Sequence, residues 1–289
     1  MPSKPSPSSS VQRAREELAT RLRELRLDAG LTGRAHATAA GWHESKTSRI
    51  ESGKQALTDT DIRTWCRVCG ADEQATDLIE ANRVADSMYV EWRRLHRAGM
   101  RRAQELRIPL YERTRWFKVY CSTVIPGFFQ TPGYATALMT AITRFQDTPD
   151  DVADAVTARM ARNHVLHGGE RRFAAIVEES VLRARHGDAQ VMAAQLGHLL
   201  AVSGLPAVSL GIVPLAAPDR PIWTLEAFNI FDDTRVEVEL LSAQVTVTQP
   251  SEVAVYVRAF EQLSHMAVYG SSARSLITQA IEALDQPRD

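Results

Sequence analysis

From residue 11 onward apolar residues recur every three or four positions. Val11, Ala14, Leu18, Leu22 and Leu25 share one helix face, while Arg13, Arg15, Glu16, Glu17, Arg21, Arg23 and Glu24 occupy the other. Gly30 is placed to stop that helix. Thr32 suits the N-cap of a short second helix over 33–40, which Gly41 ends. A third helix fits 43 or 44 to 52, closed by Gly53. A fourth fits 60–69, with Ile62, Trp65, Cys66 and Cys69 on one face, closed by Gly70. A fifth starts near Asp72 and continues through Met88. The arginine-rich stretch from Trp92 to Arg107 reads as a helical connector bent near Gly99.

After Pro109 the texture changes. Residues 115–123, 173–177 and 207–213 read as strands, and 133–144 and 149–167 as helices. Asp188 is placed to cap a helix carrying Val191, Met192, Leu196, Leu199 and Leu200. Two strands, 222–231 and 234–241, form a hairpin around Asp232 and Asp233. In its second arm Val236, Val238 and Leu240 alternate with Arg235, Glu237 and Glu239, so the two glutamates share a face, read as a solvated edge. Residues 251–266 and 271–284 close the chain as helices.

Composition adds limits. At 289 residues, 44% apolar and 24% charged, the chain fits a soluble globular protein of one or two domains. It holds no apolar run long enough to cross a membrane. The opening MPSKPSPSSS has no apolar core of a secretory signal and reads as a disordered tail over 1–10. With only three cysteines a disulfide framework is excluded, and a reducing cytoplasm is expected. The net charge of −1 hides an asymmetry. Residues 1–120 hold 22 Lys and Arg against 16 Asp and Glu, and 121–289 hold 12 against 19. A basic half favours polyanions.

Residues 33–52, GRAHATAAGWHESKTSRIES, have helix-turn-helix spacing. Ala37 supplies the small residue where two helices touch, Gly41 the positive φ of the turn, and Ile50 the apolar anchor of the second helix. Thr47 stands where an apolar residue is usual. Gly33 stands where a phosphate-binding glutamine is common, so Arg34 or Thr32 is expected to take that task. The second helix of such a motif enters the major groove. That makes Glu44, Ser45 and Arg49 the candidate base readers, and Lys46, Ser48 and Lys54 candidate phosphate contacts.

The stretch from Leu18 to Gly70 resembles phage-repressor-like (Xre-type) regulators, with Ser45-Lys46-Thr47-Ser48-Arg49-Ile50-Glu51-Ser52-Gly53 close to their recognition helix. Ile125-Pro126-Gly127-Phe128-Phe129-Gln130-Thr131, Val177-Glu178-Glu179-Ser180-Val181-Leu182-Arg183 and Ile212-Val213-Pro214 extend the resemblance to actinobacterial WhiJ-like, or Scr-type antitoxin-like, regulators. That resemblance implies a DNA-binding transcriptional regulator without enzyme activity. It also implies an ion pair between Arg26 and Glu51, and a small BldB-like partner protein encoded nearby. The expected fold class is α plus α/β: a five-helix helix-turn-helix domain (11–75), a helical connector (76–108) and a mixed α/β domain (109–285). A homodimer on double-stranded DNA is expected, reading half-sites about 34 Å apart or a multiple of that.

For the C-terminal domain three readings stay open: partner binding, a ligand pocket lined by Trp116, Tyr120, Phe128, Trp223 and Phe228, or an antitoxin-like interaction role. Catalysis and cofactors find no support. The chain has no G-x-S-x-G, P-loop, G-x-G-x-x-G or H-E-x-x-H motif. Glu178 and Glu179 are adjacent on a strand and point to opposite faces. Cys66 and Cys69 lack two further ligands for zinc and fall on an apolar face, and Cys121 has no assigned role.

Overall fold

A computed structural model describes residues 7–167, 170–217 and 220–284. It divides into two compact units, 1–90 and 91–289.

The first unit is helical: α1 (Pro7–Asp28), α2 (Gly33–Ala40), α3 (Glu44–Glu51), α4 (Asp59–Cys69), a 3-10 turn (Asp72–Gln74) and α5 (Ala75–Met88). α1 begins at Pro7, inside the tail expected over 1–10, and residues 1–6 lie outside the described residues. Leu18, Leu22 and Leu25 of α1 pack with Ile50, Ile62, Trp65, Leu78 and Ile79 in one core, as their helical spacing dictates. The indole Nε1–H of buried Trp65 donates to the Leu22 carbonyl at 2.9 Å. α4 starts with a capping box between Thr58 and Asp61.

The boundary near 75 and the connector 76–108 need correction. α5 belongs to the first unit, because Ala75, Leu78, Ile79 and Ala85 give it an apolar face that the core takes up. The arginine-rich segment belongs to the second. There α6 (Trp92–Leu95) is tied down by the Trp92 indole, which donates to the Leu240 carbonyl at 2.7 Å. The Asp151 carboxylate accepts from the Met100 and Arg101 amides at the start of α7 (Met100–Glu105). A Cβ at Gly99 would sit 2.2 Å from that carboxylate at a φ of +93°, so the bend requires glycine. Charge follows the corrected boundary. Residues 1–90 hold 13 basic and 13 acidic residues, so the basic excess of 1–120 is not a property of the helical unit.

The second unit continues with α8 (Ile108–Arg113), β2 (Trp116–Cys121), α9 (Pro132–Gln146), α10 (Val152–Ala161), a 3-10 turn (Arg162–Leu166), β3 (Arg172–Glu178), α11 (Glu179–Arg183) and α12 (Ala189–Val202). After these come β4 (Val208–Val213), β5 (Phe228–Phe231), β6 (Arg235–Glu239), β7 (Ala243–Val247), α13 (Pro250–Met266) and α14 (Gly270–Glu282). A short strand, β1 (Tyr89–Glu91), spans the boundary between units. The six strands from 116 to 247 run in the order β7-β6-β5-β2-β3-β4. β2, β3 and β4 are parallel, and β2-β5-β6-β7 are antiparallel. Asp232 and Asp233 both take positive φ (50° and 53°), the conformation of a type I′ hairpin turn. β7 was not expected from the sequence.

Phe117, Val119 and Cys121 face one side of β2, with Phe173, Ala175, Leu210, Ile212 and Phe231. Tyr120 faces the other, where Phe228 meets Tyr256 of α13 edge-on at 5.1 Å. Glu237 does not lie on a solvated edge. β6 is an interior strand, and Glu237 is 2% exposed with Arg235 donating to its Oε1 at 2.8 Å.

Candidate nucleic-acid interface

Three residues bound α2, the turn and α3. Thr32 caps α2 by accepting from the Ala35 amide at 3.1 Å. Gly41 takes a φ of +69°, and its amide closes back on Ala37 and Thr38. His43 caps α3, its Nδ1 accepting from the Ser45 amide at 3.3 Å. Ala37 and Ile50 are buried where the two helices meet. Thr47 is buried as well, with a hydroxyl that finds no partner among the described residues.

The C-terminal end of α3 is clamped to α1. Arg26 Nη2 donates to Glu51 Oε2 at 3.1 Å, its Nε donates to Oε1, and Nη1 donates to the Leu31 carbonyl. The fork is mostly enclosed, and the hydrogen bond to Glu51 raises the Arg26 pKa.

What α3 presents outward is polar. Glu44, Ser45, Ser48 and Arg49 are exposed. Arg49 Nε donates to Gln55 Oε1 at 3.1 Å and its Nη1 to Ser45 Oγ at 3.4 Å. Arg34 and Lys54 are also exposed, and Arg34, Arg49 and Lys54 form no ion pair among the described residues. His43 and Gln55 were missed from sequence. Nothing in residue type marks them, since each acts by holding Ser45 or Arg49.

Lys46 is corrected. Its Nζ donates to Asp61 at 2.6 Å and lies 4.1 Å from the Trp42 ring centroid. It therefore ties α3 to the start of α4 instead of reaching out to a phosphate. Burial would raise the Asp61 pKa, but the bonds from Lys46 and Thr58 outweigh it and hold the carboxyl below its ordinary range.

His36, just before Ala37, is fully buried. Its ring lies 3.9 Å from that of Trp65, and neither ring nitrogen meets a hydrogen-bond partner among the described residues. Burial lowers its pKa, with Glu51 opposing and Arg26 reinforcing. The unfolded chain therefore binds a proton more readily, so this contribution to stability is full above about pH 6.5 and is lost as pH falls below it. His36→Leu should flatten the parent's loss of stability between about pH 7 and 5 in urea titrations, and equal slopes in the two proteins would refute it.

The thiols of Cys66 and Cys69 are pushed up by burial, Cys69 to about 11, so both stay protonated near neutrality.

The five aromatics expected to line one ligand pocket do not meet. Phe128 packs on Phe117 at 5.2 Å, on one face of the sheet. Tyr120 and Phe228 lie on the other, and the Tyr120 hydroxyl donates to Glu178 at 2.8 Å. Trp116 and Trp223 are largely exposed. Trp116 shares the Tyr120 side of β2 but sits exposed at the start of the strand, and Phe128 comes from the segment after β2 on the opposite side. A cavity of about 220 Å³ beside β4 and α14, lined by Ser209, Tyr269 and Arg274, includes none of the five. Glu178 and Glu179 likewise serve different partners, Arg220 and Arg183.

No helix among the described residues is long and apolar enough to cross a membrane. Residues 17–79 match a family described as a helix-turn-helix domain. That match, over the clamped α2–α3 pair, supports a DNA-binding regulator. No curated protein matches the chain. The solved structure of TrmBL2, an archaeal chromatin protein described with a novel mode of DNA binding, is 10% identical. It covers 83% of this chain and 88% of its own, with a TM-score of 0.31, too loose to carry any argument. Residues 113–279, more than half of the chain, match the family described as Domain of unknown function (DUF5753), and the chain belongs to that family.

Proposed function

We propose that the protein is a sequence-specific DNA-binding transcriptional regulator of the Xre type. The observation that carries this reading is the outward face around α3. Arg34 on α2, Arg49 on α3 and Lys54 just after α3 stand exposed without ion-pair partners among the described residues, and the Arg26–Glu51 fork holds α3 in register. The helical unit as a whole is neutral, so attraction to DNA comes from this local placement of charge. Arg49 reads a guanine edge, with Ser45 and Gln55 holding its guanidinium. Glu44 and Ser45 are the other base readers. Thr32, Arg34, Ser48 and Lys54 contact phosphates and set register.

The C-terminal domain dimerises the protein and binds a small partner protein that modulates DNA binding in the cytoplasm.

Fluorescence anisotropy on the DNA upstream of the protein's own gene tests the reading, at two salt concentrations and with or without the neighbouring small protein. Arg49→Ala should lose about 1–3 kcal/mol of discrimination at one base pair. Lys54→Ala should weaken all sequences alike and reduce the salt slope by about one. Uniform weakening by Arg49→Ala would remove it from the base readers, and affinity indifferent to salt would sink DNA binding itself.

A further inference from the structure

On the sheet face that carries Phe117, apolar packing gives way to charge over the antiparallel half. Asn229, Glu237 and Thr246 stand side by side across β5, β6 and β7. Three arginines from the covering segments share this region: Arg107 before α8, Arg159 on α10 and Arg162 just after it.

Arg107 is matched. Its Nη2 lies 3.4 Å from Glu239 and 4.0 Å from Glu237 Oε2, and donates to Gln244 at 2.8 Å. Arg159 and Arg162 are not. Neither has a carboxylate within 4.0 Å among the described residues. Among the described residues Arg159 donates to the side-chain oxygens of Gln104 and Gln130 alone. Arg162 is 4% exposed. It donates from Nη1 to the Gln104 carbonyl at 3.3 Å, rests 5.0 Å from the Tyr111 ring centroid, and leaves Nε and Nη2 without a partner among the described residues. Neutral oxygens do not neutralise a guanidinium. Arg162 is enclosed and Arg159 half-buried. An enclosed ion without a counter-ion is costly, and a second cation beside it repels as well. Burial first, and then Arg162, draw the Arg159 pKa down to about 9. The same region also lacks a hydrogen-bond donor: Glu237 is paired through Oε1 with Arg235, and Arg107 stays 4.0 Å from its Oε2. Glu237 Oε2 is buried and accepts no hydrogen bond.

We infer that Arg159 and Arg162 are the anion-binding groups of a ligand site inside the C-terminal domain, which takes a small oxyanion, carboxylate or phosphate, bearing a hydroxyl or ammonium donor for Glu237. The oxyanion supplies the missing counter-charge in the two-pronged geometry guanidinium groups favour, and the donor satisfies the orphaned oxygen. Gln104 holds both arginines in place. The site does not depend on DNA binding and would stand if that reading failed.

Thermal unfolding of the full chain tests it, with inorganic phosphate and citrate titrated against chloride at matched ionic strength. At least one should raise the midpoint saturably. Which of the two succeeds separates a phosphate from a carboxylate source. Arg162→Gln should weaken that response about tenfold or more. Arg159→Met, which removes an unmatched cation, should leave the midpoint in chloride unchanged or higher and abolish the response. Two results overturn the inference. One is no response to either anion beyond that to chloride. The other is an equal loss of stability in both variants with and without anion, the mark of arginines that only hold Gln104 and Gln130.

Discussion

Glu51→Ala is expected to cost the helical unit about 3–5 kcal/mol, because it leaves the Arg26 guanidinium enclosed without its carboxylate. The side chains of Arg26 and Glu51 are only 8% and 16% exposed, so solvent screens the pair little. Such a loss is a large part of the stability of a domain this size. The Trp65 indole, held by the Leu22 carbonyl, gives a local probe, and its NMR signal through a urea titration reads the transition of this unit. A loss below about 1 kcal/mol would mean that water reaches Arg26 and the fork is worth no more than a surface pair. The double variant Arg26→Met, Glu51→Ala should regain much of the stability, since neither charge is then left buried alone. It should not regain full DNA affinity, because the fork joins the end of α3 to α1.

The sequence carried most of the helical unit. Its apolar period placed the helices, and the caps at Thr32 and Gly41 bounded α2 as expected. The parallel strands and the hairpin turn at Asp232 were legible for similar local reasons. β7 had a signal too. Ala243, Val245 and Val247 are buried on alternate positions, but the strand is five residues long and follows directly on the hairpin. What failed depends on partners distant in sequence. Lys46 looked like a surface cation until Asp61, fifteen residues on, was placed beside it. Glu237 looked solvated, and its surroundings include Arg107 from the arginine-rich stretch. The charge asymmetry misled because it was counted across a boundary that composition does not mark. α5 continues past 75 on its own apolar face, and the arginines after it fold with the sheet.

The expected ligand pocket failed because Phe128 lies across the sheet from Tyr120 and Phe228 while Trp116 and Trp223 stay exposed, and one substitution pair measures the alternation along β2 directly. Phe117→Ala should destabilise the C-terminal unit by about 3–5 kcal/mol. The ring is fully buried on the central strand, stacks on Phe173 at 4.5 Å and meets Phe128 and Phe231 edge-on. Trp116 is the larger residue and its immediate neighbour, yet its side points the other way. It is 46% exposed, and its ring contact is the Lys118 ammonium at 4.6 Å. Trp116→Ala should therefore cost only about 1 kcal/mol or less, the worth of an exposed cation–π contact and partial burial. Near-ultraviolet circular dichroism through a denaturant titration reads both variants. If the tryptophan variant loses as much as the phenylalanine one, Trp116 is covered in solution, and the assignment of faces along β2 is wrong. If it loses little, the aromatic residues along this strand do two separate jobs, and those on the Phe117 side build the core that holds α8 and its tyrosine over the arginine cluster.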